Sequence, residues 1–231
     1  MHKNNNFPIT YIMHYSKLIE RKKHLKECLK NIPREPIIIT EFDQENLTEE
    51  LIKESYILNI QRYEEAINFG YAGNKKLRPC DISLNLKHHE AMKRFIESNE
   101  EVALFLEDDI IPIPNYIEQI KFIILNSPSD YDMIFIGLGI GEKYRKERIK
   151  NAKKVNDYCY EIQSTNCTEA YLISRNAAIK LYENFLPFSL PIDWELGYRI
   201  AQLNLKVYWW FPHIFEQGSS TDKFKSSLRN E

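Results

Sequence analysis

The chain has 231 residues, enough for one sizeable core. Its 31 Lys and Arg against 33 Asp and Glu leave a formal net charge of −2, which argues against a polycation built for nucleic acid. No stretch approaches the roughly 20 apolar residues of a membrane span, and Met1 to Asn6 is polar with no apolar signal core behind it. A soluble, intracellular, single-domain protein is expected, with any membrane contact peripheral.

In chain order, Ile9 to Tyr15 reads as a strand, and Lys17 to Lys30 as a helix with Leu18, Leu25 and Leu29 on one stripe. Pro36 to Thr40 is a fully apolar second strand, so the chain opens β-α-β and a parallel sheet is expected. Leu47 to Phe69 is helical and highly charged. Ile82 to Ser98 forms another helix, carrying Leu86, Met92, Phe95 and Ile96, and delivers the chain to a strand from Val102 to Leu106. Pro112 and Pro114 stop that strand's continuation. A helix over Tyr116 to Leu125 and a strand over Asp132 to Ile136 come next. Gly137, Gly139 and Gly141 follow in a G-x-G-x-G run that does not match a dinucleotide loop and reads as a flexible turn. Lys143 to Lys154 holds seven basic residues, the mark of a solvated loop or helix face. Strands over Tyr158–Ile162, Ala170–Ile173 and Val207–Phe211 alternate with helices over Ala177–Phe185 and Trp194–Leu203. From about residue 218 a polar stretch that includes Ser226 and Ser227 reads as a tail that either closes over a ligand or stays disordered.

Cys28, Cys80, Cys159 and Cys167 form no C-x-x-C pair, so they are expected to be buried thiols rather than zinc or redox ligands. His88 and His89 are helix neighbours pointing about 100° apart and cannot share one metal.

The chemical signal is the triplet Glu107-Asp108-Asp109, placed directly behind an apolar strand. Adjacent carboxylates raise one another's pKa unless a cation or hydrogen-bond donors relieve them. A hard divalent ion does so while keeping positions for phosphate oxygens and water. A solvated acidic turn is the competing reading. The triplet's position at the carboxyl end of a strand, where open α/β sheets bind ligands, favours a site.

The triplet belongs to a longer pattern. Leu86-Lys87-His88 precedes Phe105-Leu106-Glu107-Asp108-Asp109, then come Ala170-Tyr171-Leu172-Ile173-Ser174, Pro191-Ile192-Asp193, and Pro212 with Gln217. In this order the elements resemble glycosyltransferase family 25, which includes bacterial lipooligosaccharide and collagen galactosyltransferases. The resemblance covers most of the chain. It implies an α/β protein of GT-A type: a single Rossmann-like domain with a mostly parallel central sheet flanked by helices. It also implies an inverting, metal-dependent transfer of a hexose from a UDP-sugar to a hydroxyl of a glycan or glycosylated protein.

Under that resemblance Asp109 is the direct ligand of Mn²⁺ or Mg²⁺, and Glu107 is a further candidate. Glu107 and Asp108 otherwise meet the ribose or metal-bound waters. Asp193, at a helix start where backbone donors are expected to hold it ionised, is the preferred base, with Glu195 as the alternative. Arg21, Asp43, His88 and Gln217 are candidates for the donor side, and His213 for a late metal ligand. Trp194, between the two candidate bases, would pack on a sugar face or simply fill the core. The chain departs from the family pattern at Met13-His14-Tyr15, Ser83, Leu84, Lys87 and Thr168, all near the presumed donor side, which leaves the sugar open. Two other readings compete: a non-catalytic glycan- or partner-binding module on the same fold, and, more weakly, nucleic-acid binding through Lys143 to Lys154.

Overall fold

A computed structural model of the chain describes residues 7–165, 167–221 and 223–224. The first strand, β1 (Ile9–Met13), feeds α1 (Ile19–Cys28) and the edge strand β2 (Ile37–Ile39), which pairs parallel to β1. A 3-10 turn (Gln44–Asn46), α2 (Glu49–Ser55) and α3 (Ile60–Asn68) lead to the long helix α4 (Pro79–Glu97).

The single helix expected over 47–69 is therefore two. Thr48 accepts the Leu51 N–H and Asn59 accepts the Arg62 N–H, so each starts its own helix. Between them Tyr56 bridges to Phe188, and Ile57 N–H donates to the Phe188 carbonyl at 3.0 Å. Helix α4 begins earlier than its apolar stripe, because Pro79 suits the first turn and Asp81 caps the Arg78 backbone.

Helix α4 returns the chain to β3 (Val102–Glu107), and β4 (Ile110–Pro112) follows almost at once. Next come α5 (Tyr116–Asn126), β5 (Met133–Phe135), α6 (Glu142–Lys150), β6 (Lys153–Lys154) and β7 (Cys159–Glu161). The chain ends through β8 (Ala170–Ser174), α7 (Arg175–Phe185), α8 (Ile192–Gln202), β9 (Val207–Trp210) and β10 (Phe215–Gln217).

Eight strands form one sheet in the order β2-β1-β3-β8-β5-β9-β7-β6. All but β7 and β8 run in the same direction. The protein is thus α/β, with a mostly parallel central sheet flanked by helices. Side chains alternate across it. Tyr11, Met13, Phe105 and Tyr171 pack with α4, α7 and α8 on one face, while Ile12, Leu104, Leu106 and Leu172 pack with α1 and α5 on the other.

Two features position the site. First, β1 and β3 are parallel neighbours with Met13 opposite Glu107, yet the chain leaves β1 toward the β2 edge and β3 toward the other half of the sheet. Loops that part in this way open a crevice at the carboxyl ends of the strands. Second, the chain pairs once more before the expected proline stop, with Pro112 as the last residue of β4. Pro112 lies opposite Phe215 in a two-stranded antiparallel ribbon of β4 and β10, which brings residues 215–221 back beside the triplet. The expected tail is therefore folded as far as it is described; Ser226 and Ser227 lie outside the described residues.

The glycine run is pinned rather than flexible. Leu138 N–H donates to the Phe215 carbonyl at 2.8 Å, and the Gly137 carbonyl accepts from Arg145. Among the described residues no helix is long and apolar enough to cross a membrane.

Candidate functional site

A cleft of about 290 Å³ opens at the carboxyl ends of β1 and β3, near the lower end of the range for small-molecule sites. Its walls include Met13 to Tyr15 behind β1, Glu107 to Asp109 behind β3, the first turns of α4 and α8, and Gln217, Ser219 and Ser220 from the returning segment.

The triplet divides by partner. Asp108 is almost fully buried and tied down: Arg21 donates to its Oδ1 at 2.6 Å, the Tyr15 N–H donates to Oδ2 at 3.2 Å, and His14 Nδ1 lies 2.8 Å from Oδ2. Burial opposes its charge, but the His14 and Arg21 contacts prevail and hold the carboxyl below the usual range. Its oxygens are therefore occupied by protein.

Glu107 and Asp109 behave in the opposite way. Glu107 accepts from the Thr168 hydroxyl at 2.6 Å, and burial followed by the nearby Asp109 charge raises its pKa well above the ordinary value. Asp109 takes the Ser219 N–H on Oδ2 at 3.3 Å, with Arg21 3.9 Å from that oxygen. Its Oδ1 is buried without a partner among the described residues, and burial raises its pKa too. Beneath them Glu169 is fully buried, with Oε1 accepting the Gly139 N–H at 2.5 Å and its pKa pushed by burial up to about 7. Gly137 has to be glycine here, since a Cβ would come within 2.1 Å of that carboxylate.

Two repelling carboxylates, one with an unpartnered buried oxygen, fit a hard cation that takes the rest of its shell from phosphate and water. They do not make a cage of protein ligands alone. Among the described residues no three His, Cys, Asp or Glu side chains are grouped to hold a metal.

Asp193 lines the cleft from the first turn of α8, but Pro191 occupies the N-cap position and Asp193 lies inside the helix. Its Oδ1 accepts the Trp194 N–H at 3.0 Å. Backbone donors were expected to hold it ionised; instead burial outweighs them and raises its pKa to about 6.

Other expected residues fall elsewhere. Glu195 does not line the cleft. Its fully buried carboxylate is saturated by Arg199 at 2.8 Å, Arg62 at 3.3 Å and the Ser189 and Leu190 N–H groups at 2.9 and 3.2 Å, so it braces the turn before α8 and has no lone pair to act as a base. His88 is inside the core, stacked on Tyr171 with its Nδ1 2.9 Å from the Tyr171 hydroxyl. His213 stands apart from the triplet, 3.8 Å from Glu216. Asp43 does not line the cleft either, but it holds a residue that does, through its buried ion pair with Lys87. Arg21 and Gln217 are on the cleft wall. Of the thiols expected to be buried, only Cys159 is fully so, whereas Cys80 and Cys167 line the cleft.

Sequence reasoning missed the residues that fix these carboxylates. His14, Lys87 and Thr168 are departures from the family 25 pattern, and they hold Asp108, Asp43 and Glu107 respectively. Departures from that pattern at three polar positions were the available signal. Arg145 was hidden in the basic run. It is fully buried, donating to the carbonyls of Gly137 and Trp210.

No protein-family model matches this sequence, and neither does any curated protein. The family 25 resemblance therefore rests on its short motifs alone. Among solved structures the chain is similar to a glycosyltransferase involved in the glycosylation of the major capsid of PBCV-1, at 12% identity and a TM-score of 0.49, over 94% of this chain and 97% of that one. It is also similar to A197 from STIV, at 12% identity and a TM-score of 0.45, over 88% of this chain and 81% of that one. At these values neither likeness decides fold or chemistry.

Proposed function

We propose that the protein is an inverting glycosyltransferase of GT-A type that moves a hexose from a UDP-sugar to a hydroxyl of a glycan or glycosylated protein. The observation that carries this reading is the pairing, in one cleft at the sheet's switch point, of Glu107 and Asp109 with Asp193. The first two call for a cation, and the third is suited to be a base.

In this reading Asp109 and Glu107 hold Mn²⁺ or Mg²⁺, which when bound offsets the charge developing on the diphosphate leaving group. Asp108 is a positioning residue: it fixes Arg21, whose guanidinium then stands beside the same anion. The acceptor oxygen attacks the anomeric carbon as the bond to the phosphate oxygen breaks, and that electron pair leaves with UDP. Asp193 takes the acceptor's proton. A carboxylate with a pKa near 6 is a stronger base than an ordinary aspartate while remaining ionised at neutral pH. Residues 217–220 cover Asp109 and limit water at the reacting centre, which disfavours hydrolysis of the donor.

The test is UDP release from a panel of UDP-sugars, with and without Mn²⁺, in the wild type and in Asp109→Asn. The expected outcome is metal-dependent release from one sugar, reduced by about 10²–10³-fold in the variant. Absence of both release and UDP binding would leave the fold as a non-catalytic module.

A further inference from the structure

Beside the cleft a second groove shares Asp81, Pro191 and Asp193 with it and runs on to Tyr71, Asn74, Arg78 and Trp194. The Tyr71 and Trp194 rings stand 5.2 Å apart at 57°, and Tyr63 meets Tyr71 edge-on at 6.0 Å. Tyr71 is held from two sides: its hydroxyl donates to the Asn74 carbonyl at 3.1 Å, and the loop passes so close that a Cβ on Gly73 would fall 2.3 Å from that hydroxyl. Trp194 is half-buried and borders the groove.

The polar groups here are chiefly acceptors. Asp81 and Asp193 are carboxylates, and the guanidinium of Arg78 is committed to Asp81 at 3.0 and 3.1 Å. Phosphate-bearing ligands meet the like charge of Asp193 in this groove, while the guanidinium that could attract them is neutralised by Asp81. A neutral ring rich in hydroxyls meets an aromatic face for its C–H edge and the Asp193 carboxylate for an O–H donor.

We propose that this groove is a carbohydrate subsite, in which a pyranose ring lies against Trp194 with a hydroxyl directed at Asp193, and that it receives the acceptor. The word acceptor rests on the transferase reading above; the binding of a sugar ring does not. Because Asp193 belongs to both spaces, a sugar seated in the groove presents its hydroxyl to the cleft that holds the donor. Trp194 and Tyr71 are then specificity residues for the acceptor and leave the choice of donor to the cleft.

Saturation-transfer NMR of the full chain with methyl α- and β-glycosides of galactose, glucose and mannose, in the presence of UDP and Mn²⁺, tests this directly. At least one glycoside should bind, with affinity lowered about tenfold or more in Trp194→Ala and largely kept in Trp194→Phe. Gly73→Val, which forces Tyr71 out of place, should weaken the same glycoside and provides a second route should the alanine variant not fold. No glycoside signal, or equal binding by wild type and Trp194→Ala, overturns the inference. Turnover of UDP-sugars on the same samples separates the two claims. Glycoside binding without turnover removes the transferase and keeps the subsite, whereas turnover with an unchanged acceptor KM in Trp194→Ala does the reverse.

Discussion

Asp193 and Asp108 lie in one cleft, yet their pKa values move in opposite directions: burial raises the first, whereas His14 and Arg21 outweigh burial and lower the second. The Asp193 pKa is raised to about 6, so the folded state binds its proton more tightly than the unfolded chain does. The ionised carboxylate therefore costs stability above pH 6, and that cost vanishes below about pH 4. Asp193→Asn should stabilise the protein at pH 7.5 by about 1–3 kcal/mol, leave it unchanged at pH 4 in urea melts, and lower transfer by about 10²–10⁴-fold. Wild-type transfer should rise with pH through about 6 and then level; a flat profile from pH 5 to 8 would remove Asp193 as the base. The lowered pKa of Asp108 works the other way: its contribution is present above the ordinary carboxylate range and is lost as pH falls through the folded value. Asp108→Ala leaves Arg21 buried without its main partner and should cost about 3–5 kcal/mol in denaturant melts. The triplet was legible as a candidate site because three acids cluster at the end of a buried strand. The division of labour within it was not, since it depends on His14 and Arg21, 94 and 87 residues away along the chain.

At the scale of elements, the ribbon of β4 and β10 shapes the cleft as much as the strands beneath it do. It delivers the Gly218 N–H to the Asp109 carbonyl at 2.7 Å and the Ser219 N–H to the Asp109 side chain. Gly218 has no room for a side chain, because a Cβ would come 2.8 Å from that carbonyl and 2.5 Å from the Phe224 ring. Gly218→Val should therefore weaken UDP–Mn²⁺ binding in calorimetry by about tenfold or more, while the thermal transition is largely kept, because Gly218 lies beyond the Phe215–Gly137 bridge that ties the ribbon to the segment after β5. Neither short strand could be read from the sequence, since three residues carry no period and only the pairing defines them. Elements with apolar stripes or runs, such as β1, α4, β3, α7 and β9, stood out for the opposite reason. Arg145 fell between these cases: it turns inward from a charged helix to bond main-chain carbonyls, and such partners leave no mark in a pattern of side chains.

For the molecule as a whole, a ligand that binds only the folded state adds to its stability by mass action. UDP with Mn²⁺ at about a hundred times the dissociation constant should add about 2.7 kcal/mol, which for a chain of this size raises Tm by about 5–10 °C. Either component alone should shift it less, and an equal shift from UDP without metal would take the cation out of the site. The groups that meet at the cleft also span nearly the whole length of the chain, from His14 to Ser220. During synthesis β1 precedes its partner β3, but the donors that cover Asp109 come later still, from residues 218 and 219. A nascent chain thus carries an unshielded pair of acids from the synthesis of Asp109 until Gly218 and Ser219 are made, and the cleft is completed only when that later segment folds back.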